Sequence, residues 1–474
     1  MHAVLLLDDV LRQILDLCPR ECLPAVARTC RSWTDPALDG IWSHLGSVVP
    51  LLNLIPGLIH VEGVYDADCK GSVDLSAFNS YAHRVKHITQ RHNTRIHPKL
   101  LAFLCAKGTP LFRLTTTRLL STDPDCAPAA LKRGGPSGSK DYIETLLHVA
   151  TSIERVRLRG LADPYLNHGI SQMSNLCSLS LRTGSFLTAE TFAAISIFPY
   201  LAELEIEAGH IDIDALIDAW SPASEASRFP ALKKLRICAQ EPVLELVLQK
   251  IPPGSLHTLR IEATTPAGLP PVRWSNLFDL ITTTNSYTLY DLTIEQHLND
   301  VDLDTIPATS LSHTQNNRIT FDIIRRLAPL RRLRYLTIDM TRIPNLSDQD
   351  IDALTTWWPD LAHLDLGSLH SSECHPSTGR PHATLACLPS FASSMPKLDT
   401  LILPLDLSAV PALPASIGSS ALSRATFSSP IPPDPSAIAP YLHSVFPRLA
   451  VVDGTDQHET QWSQVQKLLW TSGL

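Results

Sequence analysis

Apolar residues recur along most of this chain in one spacing, LxxLxL with Ile, Val or Phe allowed at each apolar place, while the residues between them change from copy to copy. Reading forward, IERVRL begins at Ile153, LCSLSL at Leu176, LAELEI at Leu201, LKKLRI at Leu232, LHTLRI at Leu256 and LYDLTI at Leu289. LRYLTI follows at Leu333, LAHLDL at Leu361 and LDTLIL at Leu398, then a degraded LSRATF at Leu422 and a truncated LAVV at Leu449. These eleven copies start at intervals of 23, 25, 31, 24, 33, 44, 28, 37, 24 and 27 residues. Within a copy the last two apolar places, such as Leu235 and Ile237, alternate with polar ones, the period of a short strand with one buried face. Between copies the period lengthens to that of a helix, as in Phe192, Ile195 and Phe198, in Ile351, Leu354 and Trp357, and in Ile438, Leu442 and Val445. Thr188 is placed to cap one such helix, and Ser347 with Asp350 three residues on to cap another. A strand followed by a helix, repeated at this period, predicts a right-handed parallel α/β solenoid with strands on the inner face and helices outside.

This pattern resembles a leucine-rich repeat protein from Ile153 to Val452. The place after the strand, where many such repeats carry an Asn or Cys, holds varied residues here, among them Gly184, Glu241 and Ser368. The uneven intervals predict an uneven curve with projecting loops after Leu289 and Leu361. HRVKHI at His83 and LFRLTT at Leu111 read as degenerate first repeats inside a helical linker over 46–150, with an exposed, mobile Pro- and Gly-rich loop at 123–141. The regular solenoid is expected over 151–454. After it ETQWSQVQKLLW, Glu459 to Trp470, places Trp462, Val465, Leu468 and Leu469 on one face and reads as a carboxy-terminal capping helix within 455–474.

Ahead of the repeats, residues 1–45 read as three short amphipathic helices. Asp8 can cap the first, which bears Val10, Leu11, Ile14, Leu15 and Leu17 and ends at Pro19. The second carries Leu23, Val26, Ala27 and Cys30. Asp35 and Pro36 would cap and open a third with Leu38, Ile41, Trp42 and Leu45. A unit of this length is too small to bury so much apolar surface, so it is expected to dock onto a partner or onto the solenoid.

The segment LLDDVLRQILDLCPRECLPAVARTCRSWTDPALDGIWSHL is similar to an F-box, in the fungal, basidiomycete-type form that precedes leucine-rich repeats. The matching positions are Leu6, the acidic pair Asp8 and Asp9, Val10, Leu11, Ile14, Leu15, Leu23, Val26, the run Cys30-Arg31-Ser32-Trp33, Leu38 and Trp42; Leu7 stands where F-boxes usually have proline. The resemblance implies that Leu6, Asp9, Val10, Leu11, Ile14, Leu15, Leu23, Val26, Cys30, Trp33, Leu38 and Trp42 bind a Skp-family adaptor, and through it cullin and RING subunits. The repeats would hold a target protein, making the chain a non-catalytic receptor subunit of a ubiquitin ligase. A repeat scaffold that binds a partner without ubiquitin transfer is the alternative. Leu11, Ile14, Val26 and Trp33 discriminate the two, pointing into a partner in the first and covered by the solenoid in the second.

The 474 residues, with 44% hydrophobic and 18% charged positions, are enough for a large core, and a net charge of −8 without long single-sign blocks argues against nucleic acid or an anionic membrane as main partner. The opening MHAVLLLDDV meets Asp8 before a signal core can form, and Val48 to Val61 is too short to span a bilayer, so the expected location is cytoplasmic or nuclear. The ten cysteines show no Cys-x-x-Cys pair and are expected to be reduced. GGPSGSKD lacks the Gly-Lys-Ser/Thr ending of a phosphate loop. His370, Cys374, His375, His382 and Cys387 match no standard zinc spacing, and the runs from Asp300 and Asp348 lack the Gly and Glu of a calcium loop. No metal or cofactor is expected. Arg325, Arg326, Arg331, Arg332 and Arg334 are a candidate patch for an acidic target, weighed against a solvated helix end.

Overall fold

The computed structural model describes residues 8–61, 64–67, 73–90, 95–97, 99–100, 103–104, 116–120, 153–159, 166–184, 186–220, 228–265, 272–296, 319–340, 344–367, 381–412, 420–429, 431–454 and 458–472. The chain divides into two compact units: residues 1–207 with 214–231, and residues 208–213 with 232–474. Among the described residues no helix is long and apolar enough to cross a membrane.

The first unit opens with helices α1 (Asp8–Asp16), α2 (Leu23–Ala27) and α3 (Arg31–Ser43). The third helix starts five residues earlier than Pro36 suggested. Cys30, in extended backbone, is its N-cap, and Pro36 lies inside the helix, where its missing N–H leaves one carbonyl of the turn behind it without a donor. That helix also stops sooner than expected, because His44–Leu45 forms strand β1. β2 (Leu58–Val61), β3 (Val64–Ala67) and β5 (Arg95–Ile96) make a small separate sheet. β1 instead pairs in parallel with β4 (His87–Gln90), which pairs with β6 (Thr116–Leu120); β7 (Arg155–Arg159), β8 (Ser178–Arg182) and β9 (Glu203–Glu207) continue the ladder. The repeat array therefore begins at residue 44, inside the expected first domain. Within 46–150, where degenerate first repeats are expected, β4 and β6 are strands of the array.

Register defines the two early repeats. Leu45, Ile88, Thr117, Val156, Leu179 and Leu204 stand in one row. Ile88 is therefore the fourth place of its repeat, which starts at Val85, two residues after His83. The same rule moves the next repeat three residues beyond Leu111. Gln90 and Thr117 stand at places that are aliphatic in the regular copies, and the β-branched Thr117 is strand-compatible.

The second unit holds β10 (Lys234–Ala239), β11 (Thr258–Ala263), β12 (Asp291–Gln296), β13 (Tyr335–Met340), β14 (His363–Asp365), β15 (Thr400–Pro404), β16 (Arg424–Ser428) and β17 (Val451–Gly454). All successive pairs are parallel and in repeat register. Leu235, Leu259, Leu292, Leu336, Leu364 and Leu401 form one continuous buried row, and Ala425 and Val452 complete it. The capped helices form where expected: the Thr188 hydroxyl accepts from Thr191 N–H, and Ser347 with Asp350 closes a reciprocal capping box.

The terminal helix, Glu459–Ser472, buries Trp462, Val465 and Leu469 but leaves Leu468 39% exposed. Leu468 thus falls off the face assigned to it. The truncation of the last repeat has a packing reason. At Gly454, the place of the last buried aliphatic, a Cβ would run into the Trp462 indole, whose ring lies 6.1 Å from that of Phe427.

Candidate docking surfaces

The amino-terminal helices enclose a small core of Leu11, Leu15, Leu23 and Ala37, against which Cys18, Val26, Ala27, Trp33 and Ile41 pack. Leu11 and Leu15 are one helical turn apart on α1, so both enter that core. Salt bridges set α3 against its neighbours. Arg12 on α1 reaches Asp39 at 2.6 Å, Arg84 bonds the same carboxylate, and Arg84 also bonds Asp35 at 2.8 Å. Burial disfavours the charged form of Asp39, but the two guanidinium groups outweigh it and hold the carboxyl below its usual range. Arg20 caps the end of α3 by donating to the Ile41 carbonyl at 2.6 Å and to that of His44, while Trp42 packs on Tyr81 with ring centroids 4.6 Å apart. Through β1, Arg84 and Trp42 the three helices are built onto the first strands of the array.

The structure does not gather the twelve expected adaptor-binding residues onto one surface. Leu11, Leu15 and Leu23 are buried in the helical core, with Val26 and Trp33 half-buried against it. Val10, Cys30, Leu38 and Trp42 are also half-buried. Ile14 is exposed at 37%. Asp9 lies on the backbone of α1 without a described side chain, and Leu6 lies outside the described residues, as does Leu7. Of the four discriminating residues, then, Leu11 points into the core of its own unit, Val26 and Trp33 lean on that core, and Ile14 faces outward. Leu17, 87% exposed, was missed as an outward residue. It follows Ile14 by three positions, and that helical spacing was the available signal.

A second surface is the sheet face opposite the buried rows. In the first unit β7 presents Arg155, Arg157 and Arg159 there, alternating with buried Val156 and Leu158. On one side β6 aligns Thr116, Arg118 and Leu120 with them; on the other, β8 aligns Ser178, Ser180 and Arg182. β9 carries Glu203, Glu205 and Glu207, which are engaged by β8 and the turn after it. Ser178 donates to Glu203 at 3.1 Å, Ser180 to Glu205 at 2.6 Å, Arg182 also bonds Glu205, and the Gly184 N–H donates to Glu207 at 2.7 Å. Gly184 takes φ of 59°, a backbone angle that suits glycine at this turn.

In the second unit the same face from β12 to β14 holds Asp291, Thr293, Glu295, Tyr335, Thr337, Asp339, His363 and Asp365. Burial pushes the Asp365 carboxyl up to about 6, with nearby Asp339 adding to the effect and a hydrogen bond from the Gly367 N–H opposing it. Burial also raises Asp291 and lowers His363.

The remaining sequence candidates have structural occupations or lie outside the described residues. Asp348 accepts from the Thr384 N–H and hydroxyl at 2.7 Å each, Asp350 serves the capping box, and Asp352 accepts from Ser390. Cys387 is buried, and burial pushes its thiol pKa up, which keeps it protonated. His370, Cys374, His375, the aspartates from 300 to 304 and the 123–141 loop are outside the described residues. Arg325, Arg326, Arg331, Arg332 and Arg334 are all exposed, and Arg326 bonds Asp279.

No protein-family model matches the chain, and no curated protein matches it. Among solved structures it is similar to a chain in the crystal structure of the Rad7 and Elc1 complex in yeast, at 12% identity and a TM-score of 0.36, covering 80% of this chain and 90% of that one.

Proposed function

We propose that this chain is the substrate-recognition subunit of a Skp–cullin–F-box ubiquitin ligase: α1 to α3 dock a Skp-family adaptor, and the open sheet faces hold a target protein. The observation that carries this reading is the F-box-like sequence of residues 6–45, together with a three-helix unit that has its own core and still leaves Ile14 and Leu17 exposed. The adaptor would meet the α1 rim at Val10, Ile14 and Leu17, while Leu11, Leu15 and Leu23 fix the helix arrangement from inside. The chemistry belongs to the rest of the assembly, where a target lysine attacks a thioester on the conjugating enzyme. This chain supplies position. Arg84, Arg20 and β1 hold the helices rigidly to the first repeats, so a bound target would keep a defined distance from the thioester and a high effective concentration.

The same rigid attachment favours a second reading, in which α1 to α3 merely cap a repeat scaffold. Deleting residues 1–45 would remove β1 and the partners of Arg84, so point substitutions in the full chain are the cleaner test. Ile14→Lys with Leu17→Lys should abolish co-purification of the Skp-family adaptor and cullin while leaving the melting curve unchanged. Failure of the wild-type chain to retain the adaptor, or retention by both forms alike, would sink the ligase reading and leave the scaffold.

A further inference from the structure

On strands β7 and β8 the open face carries four arginines, Arg155, Arg157, Arg159 and Arg182, and no carboxylate among the described residues. Arg182 is matched by Glu205. Arg155, Arg157 and Arg159 form no hydrogen bond or ion pair to a described residue, and the Nε of Arg159 is covered without a partner. Among the described residues this row of like charges has no ion-pair partner, and Arg159 is only half-exposed, so the row offers binding capacity for anions. Its geometry is fixed. Alternate residues of a strand lie roughly 6.6 Å apart, so the three arginine side chains leave the backbone at that spacing.

The unit itself shows what fits such a row. On β9 three carboxylates occur at alternate positions, Glu203, Glu205 and Glu207, and donors from β8 and the turn after it engage all three at matching intervals. An extended segment with the same alternation would present its carboxylates to Arg155, Arg157 and Arg159 one to one, each able to accept a bidentate pair. A long polyanion fits less well, because Glu203, Glu205 and Glu207 lie two strands away on the same face.

The geometry points to strand β7 as a recognition ladder for an extended polypeptide segment carrying carboxylates at every second residue. In the context of the function proposed above, that segment belongs to the target protein. Binding would be read by fluorescence anisotropy of a labelled peptide, Thr-Glu-Thr-Glu-Thr-Glu-Thr, against the full chain. A peptide of identical composition with its glutamates adjacent, Thr-Thr-Glu-Glu-Glu-Thr-Thr, serves as the spacing control. The alternating peptide should bind at least about tenfold more tightly than the control and weaken as salt rises. Arg155→Ser, Arg157→Ser and Arg159→Ser combined should remove that preference, and because all three side chains lie on the open face the melting curve should hold. A single Arg157→Lys variant, which keeps charge but loses the planar fork, should weaken binding severalfold.

Equal binding of the two peptides, or binding unchanged by the triple substitution, overturns the ladder. Preference for a phosphoserine peptide or a single-stranded oligonucleotide over the glutamate peptide overturns it as well, in favour of phosphate recognition. Adaptor retention is scored on the same preparations. Peptide selectivity without adaptor would preserve the ladder and refute the ligase reading, and adaptor without selectivity would do the reverse.

Discussion

On β7 the open positions read Arg155, Arg157 and Arg159; on β12 to β14 the equivalent positions read Asp291, Thr293, Glu295, Tyr335, Thr337, Asp339, His363 and Asp365, without a single lysine or arginine. Beneath these faces the two units are nearly interchangeable, with Val156, Leu179 and Leu204 in one and Leu292, Leu336 and Leu364 in the other, all at most 2% exposed. The buried rows answer only to volume and shape, so a few aliphatic side chains suffice throughout. The open rows are released from packing, and β7 on the one hand and β12 to β14 on the other have filled them with different chemistries.

The common element should fail alike in both units, and this is the largest effect expected. Leu179→Ala in the first unit and Leu292→Ala in the second each remove a fully packed rung and should cost about 2–5 kcal/mol. Denaturant unfolding measures the loss, and hydrogen exchange locates it in the affected repeats. A cost below about 1 kcal/mol at either site would mean that the rungs are not equivalent.

The end of the second unit breaks the pattern once, at Gly454, where the aliphatic rung is replaced by the incoming Trp462. Gly454→Val should displace the terminal helix and cost roughly 2–3 kcal/mol, with Trp462 fluorescence shifting to the red as its ring meets water. Adding Trp462→Leu should restore part of the stability. An unshifted spectrum in the single variant would show that the helix docks without needing that space.

The rows were legible in the sequence because a period of two with a buried face leaves an alternation that survives changes of residue type. Where the alternation thins, legibility goes with it. β1 offers a single buried rung, Leu45, at a position that also continues the helical spacing of Leu38, Ile41 and Trp42, so a helix was the natural reading. Pro36 marked a helix start by its usual preference, but packing of Ala37 against Leu11 and Leu23 holds it in a helix interior. On α1 every apolar residue was credited to one binding surface. Helical spacing groups Leu11 with Leu15 and Ile14 with Leu17, but it does not say which of the two edges closes the core; the first pair is buried and the second exposed. The charge contrast between the open faces was readable residue by residue once the strands were in register. The apolar places that define the repeats carry none of that contrast, which lies wholly in the residues between them.

That contrast predicts a difference in pH response. Arginines do not titrate in the accessible range, whereas Asp365 has its pKa raised from 3.8 to about 6, chiefly by burial. A carboxyl that binds its proton more tightly when folded adds stability below its unfolded pKa and loses that contribution as pH rises through the folded value. Asp365 should therefore contribute a fall in stability of about 2 kcal/mol between roughly pH 4 and 6.5, with Asp291 acting in the same sense and His363 in the opposite one, and Asp365→Asn should flatten that slope while raising the melting temperature at neutral pH. A variant with the wild-type slope would assign the pH response to another group.

The smallest effect concerns an arginine–glutamate pair on the open face of each unit, with the arginine on one strand and the glutamate on the next, Arg182 with Glu205 and Arg260 with Glu295. Counted as ion pairs they look alike. They differ in what remains when the arginine is removed. Glu205 keeps the Ser180 hydroxyl at 2.6 Å and has a side chain 20% exposed, so Arg182→Ala should cost roughly 0.5 kcal/mol. Glu295 is only 10% exposed, and among the described residues its hydrogen bonds come from Arg260, so Arg260→Ala strands a covered carboxylate and should cost about 1–2 kcal/mol. Chemical denaturation at low and high salt separates the cases: the Arg182 cost should vanish in high salt, whereas most of the Arg260 cost should persist, because salt screens an exposed pair but does not solvate a buried oxygen. If both costs vanish together, the second face is as open to water as the first, and its carboxylates differ from the arginine row in sign alone.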